Sequence, residues 1–164
     1  MLGEGEEGLL IVKGATVMQG YLNAPEKTAE VVRDNWYVTG DVARMDKDGF
    51  ITITGRLSRF SKIGGEMVPH ELVEREINDI LQPDRRVIAV TGAPDGARGE
   101  KLVVFFCDQE LVAPEQIVKE LRARKIPNLW IPRSENFIKV PEMPLLGSGK
   151  LDIARLTAMA NKKG

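Results

Sequence analysis

The stretch RFSKIGGEMVPHELVEREINDIL, residues 59–81, reads as a strand that runs into two glycines and then into a helix. Phe60 and Ile63 sit in the strand portion, and Gly64-Gly65 closes it. From Pro69 to Leu81 the apolar residues Leu72, Val73, Ile77, Ile80 and Leu81 fall on one helical face. Glu71, Glu74, Arg75, Asn78 and Asp79 fall on the other.

Beyond it, Val87 to Gly92 is a second strand and Pro94-Asp95-Gly96 a turn. Lys101 to Cys107 is a strongly apolar strand, expected at the centre of a small sheet. Pro114 to Arg124 is a helix with Ile117, Val118 and Leu121 inward. Ile126-Pro127 and Ile131-Pro132 break regular structure, Asn136 to Val140 is a short strand, and Asp152 to Lys162 is an amphipathic helix. The order β-α-β-β-α-β-α predicts a compact α+β domain with a small three-stranded sheet and helices on one side.

Toward the N-terminus, Gly55-Arg56-Leu57-Ser58 punctuates two units. Trp36 to Ala43 is a strand interrupted at Gly40-Asp41. The turn Asp46-Lys47-Asp48-Gly49 leads to a return strand, Phe50 to Thr54. Pro25 to Asp34 starts a short helix, and Gly8 to Gly14 reads as a buried strand in need of neighbours. Residues 1–54 are therefore β-rich and incomplete, which points to a piece of a larger protein. The expected division is 1–56 and 57–164.

Composition narrows the function. The chain has 164 residues, 43% of them hydrophobic. No apolar run approaches the ~20 residues that span a bilayer. No signal peptide is read at the N-terminus, and a cytoplasmic setting is expected. Cys107 is the only cysteine, which excludes an intrachain disulfide and a cysteine metal cluster. His70 is the only histidine, read as a helix-start residue, so no multi-histidine metal site is expected. Charge is uneven: residues 1–118 carry 13 basic and 20 acidic side chains, residues 119–164 carry 10 and 4. A basic C-terminal third faces either nucleotide phosphates, an acidic partner or only solvent. Aromatics make up 5% and do not interleave with the basic residues, so no nucleic acid is expected.

Two places carry chemistry. In Pro144-Leu145-Leu146-Gly147-Ser148-Gly149-Lys150-Leu151-Asp152, glycines and a lysine precede a helix, an arrangement that favours anions. The P-loop pattern fails, because its first glycine and final Ser/Thr are Pro144 and Leu151. Lys150 is either an anion-handling lysine of another kind or a solvated helix-end charge. Asp41, beside Gly40, is either a bidentate acceptor for two vicinal hydroxyls or an Asx-turn stabiliser.

Five segments in order resemble the C-terminal part of the adenylate-forming superfamily of acyl-CoA synthetases, peptide synthetase adenylation domains and luciferases. They are Gly14-Ala15-Thr16-Val17-Met18-Gln19-Gly20-Tyr21-Leu22; Trp36-Tyr37-Val38-Thr39-Gly40-Asp41; Gly55-Arg56 with Lys62-Ile63-Gly64-Gly65-Glu66 and Pro69 to Glu76; Ile126 to Pro132; and Gly147-Ser148-Gly149-Lys150-Leu151-Asp152. Their wording is most similar to the branch that joins acyl-[acyl carrier protein] synthesis to 2-acylglycerophosphoethanolamine reacylation.

The resemblance implies a lid domain, ATP with Mg²⁺, a fatty acid, and the pantetheine thiol of acyl carrier protein or CoA. It implies that Lys150 bridges the carboxylate and the α-phosphate, and that Asp41 holds the ribose hydroxyls. Arg56 would contact ribose or phosphate. Gly64-Gly65 would admit the pantetheine arm, and Lys62 would act in the second, thiol-transferring conformation. The lid would turn about Ser58, where relatives commonly carry Asp or Lys, and Met67 replaces an arginine of some relatives. A Mg²⁺ ligand is not found in the sequence. The missing partner would be the larger N-terminal adenylation domain, so the chain alone is expected to be inactive. The parent is expected at the inner face of the cytoplasmic membrane. The competing readings are the lid domain of an acyl-CoA ligase and a non-catalytic module that docks an acidic carrier protein through the basic third.

Overall fold

The computed structural model describes residues 3–83, 87–107 and 113–162. They form two compact units, Met1–Ser58 and Arg59–Gly164.

The first unit contains β1 (Glu7–Val12), α1 (Pro25–Val31), β2 (Val32–Arg33), β3 (Trp36–Met45) and β4 (Ile51–Arg56). All three other strands pair antiparallel with β3. β1 runs along one edge, while β2 and β4 take the start and end of the other. The β3–β4 turn forms where it is expected. The Asp46 carboxylate accepts the amides of Asp48 and Phe50, and Gly49 adopts a positive φ of 84°. Two expectations need correction. β3 does not end at Ala43 but continues to Met45, and the interruption at Gly40-Asp41 is a bulge within it, where Gly40 takes a φ of 79° and the register against β1 shifts between Leu9 and Ile11. Nor is the apolar run of β1 buried, since Leu9 and Ile11 are exposed and no second layer among the described residues of this unit covers them.

The second unit follows a 3-10 turn, Leu57–Arg59. It contains β5 (Phe60–Ile63), β6 (Glu66–Pro69), α2 (His70–Leu81), β7 (Ile88–Asp95), β8 (Gly99–Phe106), α3 (Pro114–Ala123), β9 (Phe137–Lys139) and α4 (Ile153–Asn161). The α+β class is as expected, but the sheet has five strands rather than three. β7 lines one edge of β8; β5 and β9 share the other, β5 antiparallel near Gly99 and β9 parallel near Phe106. β6 is the strand the sequence hides, because Glu66-Met67-Val68-Pro69 is short and runs straight into α2.

The helices lie on both faces, not one. Ile88, Val90, Leu102 and Val104 pack with Val73 and Ile77 of α2 and Ile117 and Leu121 of α3. The alternate residues Ala89, Ala93, Val103 and Phe105 pack with Leu156 and Ala160 of α4. A strand covered on both faces shows no polar alternation, which is why β8 reads as one continuous apolar run.

Candidate functional site

Asp41 and Arg56 are opposite one another in the β3–β4 register, and Arg56 Nε meets the Asp41 carboxylate at 2.8 Å. The Asp41 side chain is 16% exposed and that of Arg56 64%. Thr39 organises the backbone here: its hydroxyl donates to Leu10 O at 2.9 Å and accepts the Asp41 amide at 3.0 Å. The carboxylate thus takes a guanidinium as partner rather than capping a turn. Tyr37 also feels these charges, and its hydroxyl is held above the ordinary value of 10.0, chiefly by a hydrogen bond with Tyr21.

Lys62, Gly64 and Gly65 lie together in the β5–β6 hairpin. The two glycines have φ of 59° and 92°, the left-handed pair that a two-residue hairpin turn requires. A Cβ on Gly65 would meet open space, so backbone conformation rather than crowding demands glycine there. The Gly64 amide donates to Arg98 O at 2.9 Å, and the Lys62 amide donates to the Glu100 carboxylate, leaving the Lys62 side chain exposed.

Lys150 sits on a third element, a closed loop. Leu145 and Leu151 form a bridge, Leu146 N donates to Lys150 O at 2.8 Å, and Gly149 N donates to Leu146 O at 2.8 Å. The lysine is exposed. Three amides around the start of α4 already have partners, with Asp152 N donating to Pro144 O at 2.9 Å. The Gly149 amide is already used, and the Asp152 carboxylate caps α4 by accepting Arg155 N at 2.9 Å. Lys150 is an exposed cation on a loop closed by backbone bonds.

Sequence reading passes over a buried polar cluster at the start of the second unit. Arg59 is only 7% exposed. Its guanidinium donates to Val90 O at 2.9 Å and pairs with Glu74 at 2.7 Å and Glu71 at 3.5 Å. Glu74, expected on the solvent face of α2, instead accepts the Val90 amide at 2.7 Å. Buried His70 opens α2, with Nε2 2.8 Å from Ser61 Oγ and Nδ1 without a protein partner among the described residues. Burial, then the Arg59 charge, lowers its pKa from 6.5 to about 3, so it is neutral. The sequence carries no local sign of it, because helical spacing sends Glu71 and Glu74 to solvent.

No group of three or more His, Cys, Asp or Glu side chains among the described residues is arranged to hold a metal. Among the described residues no helix is long and apolar enough to cross a membrane.

No protein-family model matches the chain. It is 38% identical over 149 residues to a feruloyl-CoA synthase of Amycolatopsis sp, covering 90% of this chain and 29% of that protein. It is 36% identical over 155 residues to a long-chain-fatty-acid–CoA ligase of Bacillus subtilis, covering 92% and 26%. The ATP-bound structure of MatB from Rhodopseudomonas palustris superposes with a TM-score of 0.71 at 27% identity, over 96% of this chain and 31% of that one. The relatives and structural neighbours of this chain are adenylate-forming ligases. The chain spans under a third of the length of these ligases. Its second unit has the mixed α/β architecture of their C-terminal domain.

Proposed function

We propose that the chain is the C-terminal part of an ATP-dependent acid–thiol ligase. On this reading residues 1–56 end the larger adenylating domain and residues 57–164 form the lid. The observation that carries it is the Asp41–Arg56 pair: two motif residues fifteen positions apart meet across neighbouring strands at 2.8 Å. Exposed Phe50, Ile51 and Ile53 on the first unit support a missing larger partner that would cover them.

The chemistry follows from charge. Bringing a carboxylate to a polyphosphate sets anion against anion, and fixed cations offset that repulsion. Lys150 supplies the cation at the reacting oxygens. Asp41 accepts the two ribose hydroxyls, and Arg56, released from it, reaches ribose or phosphate. Once the acyl adenylate has formed, the second unit turns about Ser58. Lys150 then withdraws, and the side-chain-free Gly64-Gly65 turn and Lys62 approach the incoming pantetheine thiol. The described residues hold no fitting Mg²⁺ ligand set, so no step here is assigned to the metal.

The acid is a fatty or aryl acid, and the names of the relatives favour CoA as the thiol. The finer reading, from the wording of the segments, is transfer to acyl carrier protein and on to a lysophospholipid. That is the chemistry of the bifunctional 2-acylglycerophosphoethanolamine acyltransferase / acyl-[acyl carrier protein] synthetase, working at the inner face of the membrane. Assay of the longer ligase with both thiols, side by side, chooses between them. Lys150→Ala in that ligase should slow acid-dependent ATP–pyrophosphate exchange by about 10²–10³-fold. Unchanged exchange with weakened carrier binding would replace the ligase reading with the docking module. The 164-residue chain alone should form no acyl adenylate.

A further inference from the structure

β7 ends the strand order β6-β5-β8-β7, so among the described residues one of its edges has no strand paired with it. Val90 bonds through both backbone groups to side chains rather than to a strand. Its C=O accepts from Arg59 at 2.9 Å, and its N–H donates to Glu74 at 2.7 Å. Arg59 and Glu74 also pair with each other at 2.7 Å. The ion pair thus takes the place of a neighbouring strand at this position, and satisfies groups that would otherwise be left open at a partly buried edge. Three elements are joined by it: the residue that opens the second unit, the helix α2 and the edge strand β7.

The position of Arg59 matters as much as its bonds. The two units divide between Ser58 and Arg59. Leu57 and Ser58 are exposed, whereas Arg59 is buried. The chain therefore passes from a solvated link to a charge clamped at three acceptors within one residue. A fork-shaped guanidinium can hold a carbonyl and a carboxylate together, and a lysine ammonium has no such planar geometry.

We propose that Arg59 is the mount of the second unit, a positioning residue that confines any swing between the units to Leu57 and Ser58. The proposal rests on the turning lid described above, but the mount itself is measurable without ligase activity. Without it, the flexible joint would spread into β5, which carries Lys62 and leads to Gly64-Gly65. Those residues would then arrive loosely positioned.

Backbone ¹⁵N relaxation and amide hydrogen exchange on the 164-residue chain test this. Between β4 and β6 of the unaltered chain, the order-parameter minimum should lie at Leu57 and Ser58, with rigid values from Arg59 to Ile63. Arg59→Met should move the minimum into Phe60 and Ser61 and speed exchange of the Val90 amide at least tenfold. Glu74→Gln, which keeps an acceptor for Val90 N–H but removes the charge, should produce the same displacement to a lesser degree; it decides the matter if Arg59→Met does not fold. A minimum within Phe60–Ile63 in the unaltered chain, or a joint minimum that neither variant moves, overturns the mount. If the minimum behaves as expected but the longer ligase forms no adenylate, the mount stands and the ligase reading falls.

Discussion

Asp41 keeps its carboxylate against Arg56, and any diol that binds there must compete with a guanidinium 2.8 Å away. Hydrogen bonds to a charged group are worth about 1.5–3 kcal/mol. In the longer ligase, Asp41→Ala should therefore raise the ATP concentration needed for half-maximal pyrophosphate exchange by about 10–100-fold. An unchanged ATP dependence would remove Asp41 from the ribose site. His70 gives a second expectation at this scale. Its folded pKa, about 3, lies below the ordinary 6.5, so the unfolded chain takes up a proton that the folded chain refuses. The stability this histidine secures is complete above pH 6.5 and is lost as pH falls toward 3. The slope is at most about 1.4 kcal/mol per pH unit. Urea unfolding at pH 7 and pH 5 should show this loss, and His70→Gln should flatten it. These two residues differ in legibility. Asp41 is visible because an acid between apolar strand residues is out of place. A lone histidine at a helix start gives no sign that Ser61 and Arg59 will surround it.

Among the elements, α2, α3 and α4 fall within a residue or two of where their periodicity puts them. β8 is central, as its apolar run implies. The hidden features are those that depend on partners distant in sequence. Parallel pairing of β9 with β8, and the cover that α4 gives the second face, leave no local mark on the chain. Glu74 shows the same limit in one side chain: helical spacing sends it to solvent, and the open amide of Val90 draws it in. Tight crossings belong to this scale as well. A Cβ on Gly92 of β7 would clash with Ser61 Oγ, which is already engaged with His70. Gly92→Ala should cost about 1–3 kcal/mol, measured as a lower urea midpoint with unchanged slope. Adding Ser61→Gly should recover part of the loss, and full additivity of the two changes would show that no such contact exists.

The two units are unequal as molecules. Of the buried apolar residues among those described, Ala43 alone lies in the first unit; the rest belong to the second. Stability follows buried apolar surface, and a segment this short with little core is marginal. Residues 59–164 produced alone should unfold cooperatively and give dispersed amide spectra. Residues 1–58 alone should bind a hydrophobic dye and melt without a sharp transition. A cooperative melt of that segment would contradict the view that its exposed Phe50, Ile51 and Ile53 await a cover.

The doubly covered strand β8 also fixes an order of manufacture. Lys101-Leu102-Val103-Val104-Phe105-Phe106 is dense in β-forming apolar residues, the composition that self-associates when left bare. One of its covers, α2, precedes it in the chain, so that face has a partner as soon as the strand emerges. The other cover, α4, comes about fifty residues after the strand. Val103 and Phe105 pack against it, so that face stays uncovered until α4 has emerged, and bare apolar strand surface is prone to self-association. A chain halted after Val140 should accordingly sediment as aggregate, while one completed to Lys162 stays in solution.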